Sequence, residues 1–130
     1  MPALNRVQLI GYLGRDPETR YTPHGKTYCT FSVAVTQRWR SGESNVKEHT
    51  DWFTIEAWGR LGEVCQKYLS KGKLVYLEGK LRTGRYEHEG ETRYFTRVLA
   101  LRVQMLDRRP EEAEPALEEI GEPEEPEIES

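Results

Sequence analysis

The stretch DWFTIEAWGRLGEVCQKYL, residues 51–69, changes its period partway along, and that change decides the fold. From Asp51 to Trp58 apolar and polar residues alternate. Phe53, Ile55 and Ala57 make one side, and Trp52, Thr54, Glu56 and Trp58 make the other. Successive side chains of a strand point to opposite faces, so this is a strand. Beyond it, Leu61, Val64, Cys65, Tyr68 and Leu69 recur at helical spacing and define one face of a helix. Gly72 follows its end, after Lys67 and Lys71, where the helix dipole is negative. The apolar set of the strand is its core side. Both tryptophans are therefore expected on the polar, solvent-facing side.

On the N-terminal side, two further strands are expected. Residues Arg6 to Leu13 place Val7, Leu9 and Leu13 together, before a break at Gly14-Arg15-Asp16-Pro17. Residues Thr27 to Arg38 place Cys29, Phe31, Val33 and Val35 inward. On the C-terminal side, Lys73 to Tyr86 is a fourth strand, with Val75, Leu77 and Leu81 inward and Tyr76, Lys80, Arg82 and Tyr86 outward. Thr92 to Leu106 is a fifth, with Phe95 assigned to the core by phase. Gly79, on a core face in mid-strand, marks a bulge or bend. Hairpins around residues 40–45 and 87–90 are expected to project. The order β-β-β-α-β-β predicts an all-β, five-stranded Greek-key barrel of the OB type, with one short helix between strands 3 and 4.

The 130 residues suffice for one domain with a real core. No apolar run approaches the roughly 20 residues of a membrane helix. The N-terminus has neither a signal core nor a transit-peptide character, so the expected location is the cytoplasm, in association with the nucleoid, with no membrane partner. All 19 lysines and arginines lie in residues 1–109, against 12 acidic residues, for a net +7. Residues 110–130 hold the other 10 acids and no base. The expected organisation is a basic folded domain, residues 1–109, and a disordered acidic tail, residues 110–130. A basic body fits a polyanionic partner.

Cys29 and Cys65 lie far apart, and His24, His49 and His88 are scattered, so no metal-ligand spacing arises. The body's carboxylates are dispersed. There is no phosphate loop and no nucleophile elbow, so neither a cofactor nor an enzymatic activity is expected.

The outer face carries the informative chemistry. Aromatics interleaved with cations suit unpaired bases and their phosphates: stacking contributes about 1–3 kcal/mol per base whatever the base, and phosphate contacts add counterion release. Strand three supplies Trp52 and Trp58, with Arg60 following. Strand four supplies Tyr76, Lys80, Arg82 and Tyr86, and Trp39 lies between Arg38 and Arg40. Tyr76 fits a cross-strand pair or a subunit contact equally well, and Tyr28, Tyr68 and Tyr94 are assigned structural roles.

Three segments carry a resemblance to a known family: Asn5 to Tyr21, Trp58 to Gly72 and Val75 to Thr83 resemble the bacterial single-stranded DNA-binding proteins. The likeness runs over about residues 4–106. It implies an OB-fold protomer, a homotetramer, and single-stranded DNA bound with little sequence preference during replication, recombination and repair. The family's base-stacking aromatics fall on Trp39, Trp52, Trp58 and Tyr86, and its phosphate-contacting positions on Arg20, Arg60, Lys71, Arg82 and Arg85. Family members commonly end in an acidic stretch with an Ile-Pro-Phe tip that docks replication and repair proteins. Here Glu122 to Ser130 keeps the acid and Ile128 but has no terminal Pro-Phe. A competing reading is an OB-fold interaction module of a primosome-like assembly, and another is an OB-fold recognising structured RNA.

Overall fold

Hydrophobic alternation over five segments and one helical face yields a closed barrel. In the computed structural model, residues 2–43 and 45–106 are described. The boundary expected at residues 109/110 and the acidic tail beyond it lie outside these residues. The elements are β1 (Val7–Leu13), β2 (Glu18–Tyr21), β3 (Thr27–Ser41), β4 (Asn45–Trp58), α1 (Gly59–Tyr68), β5 (Leu74–His88) and β6 (Glu91–Met105).

The sheet order is β1-β5-β6-β4-β3-β2, and an additional β1–β3 pairing closes the first five strands into the barrel. This is the OB architecture expected from the element order, with the helix between the strand bearing Trp52 and the next. The four-residue β2 was not expected. It carries no apolar alternation, all four residues are exposed, and it is held only along β3.

The core gathers the inward sets of all five barrel strands and the apolar face of α1. Val33, Ile55, Ala57, Cys65, Val75, Leu77 and Val103 are fully enclosed. Val7, Leu9, Val35 and Phe53 pack against the core from partly buried positions. Leu81 does not reach it and is exposed. α1 ends at Leu69, whose N–H bonds the Cys65 carbonyl at 2.9 Å. Gly72, at φ 89°, then turns the chain back, and its N–H bonds the Leu13 carbonyl at 2.9 Å.

Gly79 sits at the expected irregularity. The β5–β6 register shifts between Glu78 and Gly79. A Cβ at Gly79 would lie 2.2 Å from the Leu99 carbonyl oxygen, so only glycine lets the two strands approach there. The bulge also corrects one expectation. It puts Val98 and Ala100 inward on one side and Val103 and Met105 inward on the other. Phe95, on the odd phase before the bulge, is therefore turned to the outer face.

β3–β4 and β5–β6 are long antiparallel hairpins of 14 or 15 residues per arm. β4 and β6 run parallel where they meet, so both hairpin tips extend from the same end of the barrel. The β5–β6 tip is a two-residue turn with positive φ at Glu89 and Gly90, the geometry that matches strand twist.

Candidate nucleic-acid interface

Trp52 projects from the outer face of β4 with 61% of its surface exposed. Its indole rests on the backbone of Gly14, where a Cβ would come within 2.4 Å of the ring. The ring is thus braced at its Cζ3–Cη2 end while most of its surface stays open. Ala34, its cross-strand partner, leaves room around it. This is the arrangement a stacking platform requires: a ring held at one end and accessible to a ligand.

Trp58 corrects the expectation. Alternation places it on the same outer face as Trp52, yet only 3% of it is exposed. Its cross-strand partner Tyr28 stacks on it with ring centroids 4.3 Å apart and planes 17° apart. Leu99 of β6 completes this second apolar cluster. The period of a strand tells which side a residue takes; here neighbouring strands cover that side. Tyr28 is structural, as expected, whereas Tyr94 is exposed.

Beside this cluster lies a buried ionic one. Glu56 is 1% exposed. Its Oε1 accepts from Trp58 Nε1 at 3.2 Å and from Arg82 at 3.0 Å, and its Oε2 accepts from Arg97 at 2.8 Å. A buried carboxylate is tolerated only when its oxygens are satisfied in this way. The Arg97 guanidinium lies 4.6 Å from the Phe95 ring centroid, and that of Arg82 lies 5.4 Å from it. Both distances suit cation–π attraction. Phe95 in turn lies over Gly84, where a Cβ would meet its ring at 2.3 Å, and Tyr86 is tilted against it at 6.4 Å. Arg82 is thus mostly buried and held by Glu56 rather than presented to solvent.

The structure brings some of the other expected residues together and separates others. Arg20, on β2 opposite Tyr28, opens onto a groove of about 370 Å³ across the outer face, shared with Arg15 and Arg97. Tyr86, 44% exposed, continues the outer face along the β5–β6 hairpin. Trp39, 50% exposed, pairs with Lys47. By alternation along β3 and β4 these two extend the face of Val33, Val35 and Phe53, opposite to Trp52. Arg85 pairs with Tyr94 on the face of its hairpin opposite to Tyr86. The hairpins therefore present aromatic and cationic groups on both sides. Arg60 is exposed at the start of α1. Lys71 is exposed in the loop after α1, where its N–H bonds Asp16 Oδ1 at 2.8 Å and ties that loop to the β1–β2 loop.

Arg15 and Arg97 were not singled out from the sequence, and Phe95 was assigned to the core. Arg15 lies in a Gly-Arg-Asp-Pro break that reads only as a turn, and the bulge hides the phase of the other two. Among the described residues no group of His, Cys, Asp and Glu could hold a metal ion, and no helix is long and apolar enough to cross a membrane.

The model of the single-strand binding protein family matches residues 4–106, the whole barrel. This chain belongs to that family. It is 40% identical over 105 residues to single-stranded DNA-binding protein 1 of Chlorobaculum tepidum, covering 79% of this chain and 65% of that protein. It is 46% identical over 106 residues to the single-stranded DNA-binding protein of Treponema pallidum, covering 82% of this chain and 60% of that protein. The alignments thus span less than two thirds of each relative's length. A solved structure of the Plasmodium falciparum family member in complex with single-stranded DNA superposes with a TM-score of 0.74 at 28% identity, over 82% of this chain and 98% of that one.

Proposed function

We propose that this chain binds single-stranded DNA without sequence specificity and protects it during replication, recombination and repair. The observation that carries the reading is Trp52, 61% exposed and braced on Gly14 at one end of its ring, beside an arginine-lined groove. Trp39 and Tyr86 supply further stacking surfaces on the two hairpins. Arg20, Arg60, Lys71 and Arg85 supply phosphate contacts, and Arg82 acts from its place against Glu56. Trp58 supports the site from beneath rather than stacking on a base.

The protomer assembles as a homotetramer in this proposal. Ile10 and Tyr12 of β1 are both 56% exposed, and apolar side chains of that size gain by association. Residues 110–130 are proposed as an acidic tail that competes with DNA for the basic face, and the cytoplasmic nucleoid as the place of action.

Fluorescence titration of the full chain with a homopyrimidine oligonucleotide tests the reading. Strong tryptophan quenching that weakens with salt is expected. Absence of quenching together with a preference for folded RNA, or binding only to protein partners, would refute it. Light scattering with and without a long homopyrimidine strand reports the assembly state.

A further inference from the structure

The groove of about 370 Å³ has a composition that stacking does not explain. Arg15, Arg20 and Arg97 line it, and Thr30, Ser32 and Thr54 place three hydroxyl-bearing side chains in it. Ser32 and Thr54 are cross-strand partners on the outer face of β3 and β4. Glu18 is the single carboxylate of the lining, and it bonds Arg20 at 3.0 Å. Three cations against one acid leave the groove positive. Arg97 is fixed there on two sides, by Glu56 at 2.8 Å and by the Phe95 ring. Arg15 forms no ion pair with a described residue.

We propose that this groove seats a backbone phosphodiester of the bound strand, next to the nucleotide stacked on Trp52. Thr54 follows Trp52 two residues along the same face of β4, so its Cα, at the groove, lies about 7 Å along the strand from that of Trp52. Guanidinium forks match phosphate oxygens in geometry, and hydroxyls donate to the oxygens the forks leave free. Glu56 and Phe95 are positioning residues in this scheme: they hold the Arg97 guanidinium in place before the strand arrives. The inference rests on the single-stranded DNA reading and assigns phosphate contacts to Arg15 and Arg97.

The test is the salt dependence of affinity of the full chain for a homopyrimidine oligonucleotide, for wild type, R15Q, R97Q and the double variant. Every phosphate that the protein no longer neutralises lowers the slope of log K against log salt by about 0.7 on single strands, so the double variant, which strips the one seated phosphate of both guanidiniums, should lose about 0.7. Tryptophan quenching at saturation should be unchanged, because the Trp52 platform is untouched. R97Q disturbs the Glu56 cluster, so R15Q alone decides if that variant fails to fold: a reduced slope, by no more than about 0.7, supports the seat. A wild-type slope retained by R15Q overturns it while leaving the broader reading in place. Failure of the wild type to bind at all overturns both.

Discussion

Replacing Trp52 with alanine should weaken single-stranded DNA binding while leaving the fold intact, and replacing Trp58 should do the reverse. Trp52 is 61% exposed, its ring meeting Gly14 at the Cζ3–Cη2 end, so the loss expected is that of one stacked base. One base is worth about 1–3 kcal/mol. At about 1.4 kcal/mol per decade, W52A should raise Kd about 5- to 140-fold. Trp58 is enclosed, stacked on Tyr28 and bonded to Glu56. W58A should cost about 3–5 kcal/mol of stability. At about 4–8 °C per kcal/mol for a domain of this size, its Tm should fall by at least about 12 °C. W58F keeps a ring against Tyr28 and loses one hydrogen bond to a carboxylate, about 1.5–3 kcal/mol, and its Kd should change less than about 3-fold, because no base is unstacked by the change. The assay is fluorescence or anisotropy titration with a homopyrimidine oligonucleotide beside thermal unfolding, at matched protein concentration because assembly shifts apparent stability. If W58F weakens binding as much as W52A, or W52A binds normally, the division of labour between the two indoles is wrong.

Three further outcomes follow from the same geometry. Glu56→Gln removes the countercharge of two arginines in a buried setting and should destabilise by about 3–5 kcal/mol; in a double-mutant cycle by chemical denaturation, R97Q should cost at least about 1 kcal/mol less in the E56Q background, and additivity would show that the pair is not coupled. Gly14→Val puts a side chain where the Trp52 ring lies, so the indole must swing away; DNA binding should fall by no more than in W52A, and G14V should add nothing on top of W52A. Burial pushes the Cys29 thiol up to about 12, and burial with the nearby Cys29 raises Cys65 as well. Folding thus favours the protonated thiols, so their contribution to stability is full below the ordinary thiol value of 9.0 and is lost as pH rises toward about 12. Both should resist a thiol reagent at about pH 8, below the ordinary thiol value, until the chain unfolds, and rapid labelling of the native protein would contradict this.

The strand order, the helix and most of the core were legible because period-two and helical patterns survive wherever one face is buried. Val33, Ile55 and Leu77 fall inward as alternation requires. Three features were not legible. β2 carries no apolar pattern, so nothing in Glu18–Tyr21 marks it as a strand. Phe95 reads as core when the phase of Val103 and Met105 is carried backwards, and the bulge opposite Gly79 reverses that phase. Trp58 was assigned to the correct side but not to the correct environment, because cover by Tyr28 and Leu99 comes from strands distant in sequence. For Arg97 the missing knowledge was of the same kind: its partners, Glu56 and Phe95, share one face only after the barrel has closed.

The ladder joining β4 to β6 is short, pairing Ile55 with Val98 and Glu56 with Leu99, while every neighbouring strand pair except the β1–β3 closure is longer. A closed sheet opens where its backbone stitching is sparsest, so this line and the equally short β1–β3 closure are where the cylinder would unzip during sub-global fluctuations. Glu56 stands on one side of the β4–β6 line, and Arg82 and Arg97 reach it from the other. The three side chains act as a rivet across the seam, and amide exchange near Ile55 and Val98 would report how tightly it holds.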